Sequence, residues 1–175
     1  MDIEYIREQF PGLKSGFIFM DNAGGSQILG NAVDEISEYL VNSNVQLGAS
    51  YKTSALAGDK LNKVTRQIAG FLNTRDTKEV VIGPTSTMQL RILSLCISRQ
   101  WKEGDEVIVT NTDHEANVSC WTDLEERGIK IKIWKVDKGS FELKINDLEK
   151  LLTSRTKLVA LTHCSKVLQL GCLIT

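Results

Sequence analysis

The chain has 175 residues, of which 42% are hydrophobic and 25% charged, an ordinary balance for a globular protein with a sizeable core. Its 21 Lys and Arg against 22 Asp and Glu leave no basic excess for a nucleic-acid surface and no charge run for a membrane surface. No apolar stretch is long enough to span a bilayer.

The start, Met1-Asp2-Ile3-Glu4, lacks the basic and apolar regions of a signal peptide. It leads into a short helix expected near Asp2–Gln9, a strand at Phe17–Met20 and a loop, Asp21-Asn22-Ala23-Gly24-Gly25-Ser26. Adjacent glycines after a strand permit unusual backbone conformations or the close approach of another group. A helix near Asn31–Val41 follows. A longer one is expected over Ala55–Leu72, with Leu61, Val64, Ile68 and Phe71 spaced for one buried face.

From Glu79 onward the pattern alternates. Strands are expected at Val80–Gly83, Glu106–Thr110, Ile129–Val136 and Lys157–Thr162, with helices at Ser86–Trp101, Asp113–Arg127 and Asp147–Leu152 between them. Thr112 and Glu115 have the spacing of a capping box for the second helix, and Gly128 supplies its stop. Short apolar strands separated by helices predict an α/β fold with a mostly parallel sheet covered on both faces. Ile129–Ile133 alternates apolar and charged residues, which places it nearer an edge. The Lys157–Thr162 run is strongly apolar at Leu158, Val159, Ala160 and Leu161, as a central strand covered on both faces would be. Sites in such sheets form beyond the C-terminal strand ends. Those ends are Gly83-Pro84, Thr110–His114 and Thr162–Lys166.

Three features lie at these ends. Thr85, Ser86 and Thr87 stand where a strand turns sharply into a helix. There the first N–H groups and the helix dipole favour an anion, so a cup for a single phosphate is one reading. Simple helix capping, by Thr85 alone or by Ser86 with Gln89, is the other. No GxxxxGK[ST] occurs, which excludes a nucleotide P-loop. His114 reads either as a solvated loop histidine between two acids or as an imidazole able to stack on a flat ring or move a proton. His163 and Cys164 are adjacent on an extended segment and face opposite ways, so they do not make a thiolate–imidazole pair. Lys166 reads as a surface amine and receives no catalytic role. The four cysteines, Cys96, Cys120, Cys164 and Cys172, show neither CxxC nor metal-ligand spacing. A reduced, disulfide-free, cytoplasmic protein without a metal is therefore expected, with Cys96 and Cys120 acting as small hydrophobes.

Taken in order, DNAGGSQ at Asp21–Gln27, the GPTST turn, GDEVIVTNTDHEANVSCW at Gly104–Trp121 and TKLVALTHCS at Thr156–Ser165 resemble the class V aminotransferase superfamily. Its members are pyridoxal-phosphate enzymes of fold type I, and the closest look is to cysteine desulfurase-like proteins. The resemblance covers nearly all of residues 3–165. It implies that Thr85, Ser86 and Thr87 bind the phosphate of pyridoxal 5'-phosphate and that His114 stacks on its ring. It places Ala23 and Gly24 on the substrate side and implies an amino-acid substrate, a homodimer, and lyase or transferase chemistry. On this view residues 1–47 are an N-terminal segment carrying the substrate-side loop, and residues 48–175 are the first part of the cofactor-binding large domain. Where the family continues Asn-Val-Leu-Gly after Thr-His-x-Ser, this chain has Lys166-Val167-Leu168-Gln169. The family's Schiff-base lysine and its aspartate for the pyridine nitrogen fall beyond Thr175. No catalytic residue is assigned, and a truncated enzyme, inactive by itself, is the expectation. The alternative is a non-catalytic module for dimerisation or partner binding.

Overall fold

Glu106-Val107-Ile108-Val109-Thr110 is dominated by β-branched residues, which suit a pleated, buried surface. In a computed structural model that describes residues 1–164, this segment is strand β1, Glu106–Thr110, and all five residues are buried. Strands β2, Lys130–Trp134, and β3, Thr156–Ala160, flank it on either side. Both pair parallel to β1, with Val107 opposite Ile131 and Leu158, and Val109 opposite Ile133 and Ala160. A register shift between Glu106 and Val107 interrupts the β1–β3 ladder at its beginning. The parallel α/β architecture expected from the alternating pattern is the one observed.

The two faces of β1 differ. Val107 and Val109 face an apolar core with Ala160, Cys120, Trp121, Leu124 and Ile129, against which Leu90, Ile131 and Leu158 also pack. The register puts Glu106, Ile108 and Thr110 on the opposite face. Glu106 is buried there, and its Oε2 accepts from Lys132 Nζ at 2.7 Å, Thr153 Oγ1 at 2.6 Å and Thr156 Oγ1 at 3.3 Å. The Lys132 ammonium first, and the Thr153 hydroxyl second, hold this carboxyl below the usual carboxylate range. β2 lies at an edge of the described sheet, as its alternation predicts. β3 is the other edge of the described sheet, and Leu158 and Val159 are half-buried there. An apolar run reports a preference for burial, whereas strand order is set by pairing with distant residues.

The chain divides into two compact units, residues 1–82 and residues from 83 on. The second unit contains the sheet with helices α4, Ser86–Ile97, α5, Ser119–Thr122, and α6, Ile145–Leu151. The first holds α1, Ile3–Glu8, α2, Gly30–Asn42, and α3, Lys52–Phe71. Two expected strands take other forms. Residues 17–20 and 80–83 belong to no strand, and the three-stranded ladder does not include them. Val80 is nonetheless extended, at φ −105° and ψ 113°. The apolar runs encode extended backbone, but a ladder also needs a neighbour in register. The stripe foreseen on α3 is not sealed either, since Leu61 and Val64 are exposed and Phe71 is 88% exposed. The buried positions of that helix are the small ones, Ser54, Ala57 and Ala69. Ser54 Oγ donates to the Gln46 carbonyl at 2.7 Å and accepts from the Ala49 N–H at 3.0 Å, fixing the α2–α3 connection.

The expected helix over Asp113–Arg127 is broken into a 3-10 turn at Glu115–Asn117, the short α5, and a second 3-10 segment, Asp123–Arg127. It ends as foreseen at Gly128, whose φ of 78° is accessible to glycine at little cost. Beyond β2, the turn at residues 137–142 is organised by Asp137. Its Oδ1 accepts from the N–H groups of Gly139 and Ser140 and from the Ser140 hydroxyl, and Lys144 Nζ lies 3.1 Å from Oδ2.

Two outcomes follow. Ile108 is fully buried, so Ile108→Ala should destabilise the chain by about 2–5 kcal/mol, seen as a lower denaturant midpoint. The Ser140 N–H, then Lys144 and the Ser140 hydroxyl, lower the Asp137 pKa from 3.8 to about 2. Because the folded pKa lies below the unfolded one, its contribution is complete above about pH 4 and is lost as pH falls towards 2. Thermal unfolding of wild type and Asp137→Asn should therefore differ at pH 5 and converge near pH 2. A gap that stays constant over that window would remove the role assigned to this carboxylate.

Candidate functional site

Helix α4 begins with a side-chain cap. Thr85 is the N-cap in extended conformation, and its Oγ1 accepts from the Met88 N–H at 3.1 Å. The cap thus falls on Thr85 rather than on a Ser86–Gln89 box. Ser86 and Thr87 occupy the first two helical positions, where backbone N–H groups have no carbonyl four residues back. Thr85, Ser86 and Thr87 are all exposed. Thr85, Ser86 and Thr87 thus stand at the positive end of a twelve-residue helix, with the Ser86 and Thr87 N–H groups outside its own ladder. Near it, the Gln89 side-chain amide packs over Gly83, and a Cβ there would require that amide to move.

The segment after β1 carries the second feature. His114 is exposed and extended, at φ −68° and ψ 144°, and its Nδ1 accepts from the Ala116 N–H at 3.2 Å. The imidazole, not the anticipated Thr112–Glu115 box, caps the 3-10 turn. Thr112 bonds elsewhere: its N–H donates to Thr110 Oγ1 at 3.3 Å, and the two hydroxyls lie 3.2 Å apart. Since Nδ1 is an acceptor, the neutral ring carries its proton on Nε2. Helix α4 packs against the turn that His114 caps and against α5, so the Thr85–Thr87 helix start and the imidazole stand on contacting elements of one unit.

Sequence reasoning gave no role to the polar groups that hold this edge together. Asp113 Oδ2 accepts from Thr110 Oγ1 at 2.5 Å and from the Thr162 N–H at 3.2 Å, and its Oδ1 accepts from Asn117 Nδ2 at 3.0 Å. Asn117 Oδ1 in turn accepts from Trp121 Nε1 at 3.3 Å. Asn111 Oδ1 accepts from the Val136 N–H at 2.9 Å, joining the exits of β1 and β2. The one signal in the sequence was the density of short polar side chains in Asn111–Asn117, which favours local bonding over helix.

The remaining candidates are placed as follows. Ala23 and Gly24 lie in the first unit, in a turn that Asp21 closes; its Oδ1 and its carbonyl each accept from the Gly24 N–H at 3.2 Å. Cys120 is buried, and burial pushes its thiol up, away from nucleophile chemistry. Cys96 is exposed, not the packed hydrophobe expected from its helix, and Cys164 is exposed too. Among the described residues no cluster of His, Cys, Asp and Glu could hold a metal ion. No helix among them is long and apolar enough to cross a membrane. Lys166 and the residues after it lie outside the described residues.

The family model described as Aminotransferase class-V matches residues 18–171. The aminotransferase-like protein FGM3 of Gibberella zeae is 42% identical over 172 residues, covering 95% of this chain and 42% of that protein. A cysteine desulfurase of Synechococcus elongatus is 30% identical over 175 residues, covering 95% of this chain and 28% of that one. The solved apo structure of the cysteine desulfurase from Thermococcus onnurineus NA1 superposes with a TM-score of 0.86 at 23% identity, covering 98% of this chain and 42% of the other. The last likeness shows the fold. The chain spans less than half the length of each of these relatives.

Removing the α4 cap tests the local geometry. Thr85→Ala should cost about 0.5–2 kcal/mol of stability, whereas Thr85→Ser should cost much less. Thermal denaturation of the two variants decides it, since equal losses would mean that the hydroxyl is not the cap.

Proposed function

The chain belongs to the class V aminotransferase family, and from that premise we propose that it supplies the cofactor-seating part of a pyridoxal-phosphate-dependent, cysteine desulfurase-like enzyme acting on an amino acid. The observation that carries this reading is the exposed start of α4, with Thr85, Ser86 and Thr87 gathered at its positive end. That donor set fits one phosphate: two backbone N–H groups and neighbouring hydroxyls can each give a charge-assisted hydrogen bond to it. His114 fits the role of ring partner. Its Nδ1 is held by the Ala116 N–H, so the imidazole plane is oriented and the rest of the ring remains accessible. Pyridoxal 5'-phosphate, when bound, supplies an electron sink for bond cleavage in an amino acid. Ser86 and Thr87 then fix its phosphate, and His114 limits the tilt of its ring. Ala23 and Gly24, in the turn closed by Asp21, are assigned to the substrate side. No residue of 1–175 is assigned the proton-transfer or Schiff-base role.

A second reading, a self-associating module that takes no cofactor, is favoured by the apolar cleft of about 400 Å³ between α2 and α3. Ile36, Leu40, Leu61 and Val64 line it.

The two readings separate in one titration. Residues 1–175 should quench tryptophan fluorescence saturably with pyridoxal phosphate, and the Ser86→Ala/Thr87→Ala double variant should bind roughly tenfold more weakly or worse. His114→Ala should also weaken pyridoxal phosphate but leave inorganic phosphate unaffected. Sedimentation showing a dimer without saturable cofactor binding would favour the second reading. Variants that bind like wild type would sink the first.

A further inference from the structure

Asp113 spends every hydrogen bond that the structure gives it on joining chain segments. Three donors converge on the carboxylate from three places: the Thr110 hydroxyl at the end of β1, the Thr162 N–H beyond β3 and the Asn117 amide in the turn capped by His114. The direction of each bond is determined. Thr162 can only donate its N–H and Asn117 donates through Nδ2, while Thr110, which accepts from the Thr112 N–H, gives its hydroxyl proton to Asp113. Thr110 is buried and Asp113 half-buried, so these bonds form in a setting where lost partners are not simply replaced by water. Asp113 and Thr162 are 49 residues apart in sequence.

We propose that Asp113 is the positioning residue of the imidazole site: it ties the exit of β3 to the loop bearing His114 and thereby fixes the orientation of the ring. The coupling runs in two short steps. The Asp113 carboxylate holds residues 110–113 and Asn117 at fixed points, and the His114 ring closes the span between them through Nδ1 and the Ala116 N–H. A side chain with three donors on two oxygens has no isosteric substitute. In Asp113→Asn one oxygen becomes an NH2 group that faces a donor, either Thr162 or Asn117, and the loop must shift to relieve it. The phosphate-type cup at α4 makes no bond to Asp113, so the effect should be confined to the ring subsite. The inference rests on the functional reading above for its cofactor arm but not for its structural arm.

Both arms use the full 175-residue chain. The structural arm is long-range nitrogen–proton NMR of the two histidines, with His163→Gln used to assign His114. In wild type the neutral His114 ring should be the tautomer protonated on Nε2, with Nδ1 accepting. In Asp113→Asn it should become a tautomer mixture, and Thr162→Pro, which takes one of the three donors from Asp113 along with the hydroxyl bond to the Cys164 carbonyl, should give part of the same change. An unaltered His114 spectrum in either folded variant overturns the proposal. The binding arm titrates pyridoxal phosphate and inorganic phosphate separately. Asp113→Asn should weaken pyridoxal phosphate roughly tenfold, as expected for loss of a charged hydrogen bond, and leave inorganic phosphate unchanged. The Asp113→Asn/His114→Ala double variant should bind no more weakly than His114→Ala alone. Additive losses, or equal losses for both ligands, would show a general effect on the fold and overturn the positioning role. Should the wild-type chain bind no pyridoxal phosphate, the functional reading falls, while the tautomer measurement still decides the role of Asp113.

Discussion

The carboxylate of Glu106 is where the sheet is joined. It sits in the fully buried central strand, and a charge there is tolerable only with partners that neutralise and hydrogen-bond it. Lys132 on β2 supplies the charge, while Thr153 and Thr156, before and at the start of β3, supply the hydroxyls. Lys132 Nζ also donates to the Leu151 carbonyl at 2.8 Å, so the end of α6 is bound into the same cluster. A slip of one residue in either flanking strand would turn these side chains to the other face and strand the carboxylate. The register of the three strands is therefore set by polar chemistry at their N-terminal edge as well as by apolar packing.

A fixed register at one edge has a consequence at the other. The strands end together, and the loops beyond them emerge on the same side, where a second set of polar bonds joins them. Asn111 reaches Val136 after β2, and Asp113 reaches Thr162 after β3. The core between the two edges is apolar on the Val107 and Val109 face and needs no further specification. The arrangement separates duties along β1: a buried ion cluster where it begins, close packing in its middle, and short polar side chains at its exit. His114 comes at the end of that exit, on backbone that the preceding hydrogen bonds have kept extended. The start of α4 is simpler. Its donors arise from the helix itself, and one hydroxyl cap sets where they begin.

The first unit obeys different physics. Lys60 on α3 bridges Glu35 and Glu38 on α2 at 3.0 and 2.7 Å, and these acids raise its pKa. The groups are exposed, and such pairs orient helices more than they stabilise them. Small residues on α3 allow close approach, and the larger apolar residues line the cleft instead of filling a core. Periodicity therefore identified an apolar stripe on α3, but Leu61, Val64 and Phe71 on it are exposed rather than buried.

Some of this structure was legible from residues a few positions apart. The strands from Glu106 onward, the start of α4 at Ser86, the stop at Gly128 and the edge position of β2 in the described sheet all rest on local preferences: β-branched runs, capping hydroxyls, glycine at positive φ and an alternating face. The order and spacing of the motifs carried the family. What tertiary structure alone decided involves partners far apart. Residues 80–83 are extended by preference, but ladder membership depends on a neighbour that no local pattern names. The helix expected at Asp113 is displaced because Thr110 bonds to both Thr112 and Asp113, and Asp113 accepts from the Thr162 N–H, which leaves His114 to cap the turn. Glu106 and Thr153, 47 residues apart, carry no mutual signal in the sequence. Hydrogen bonds between side chains are short-ranged in space and indifferent to separation along the chain. The sequence could name the ends of the strands, and only the folded chain could say which groups would meet there.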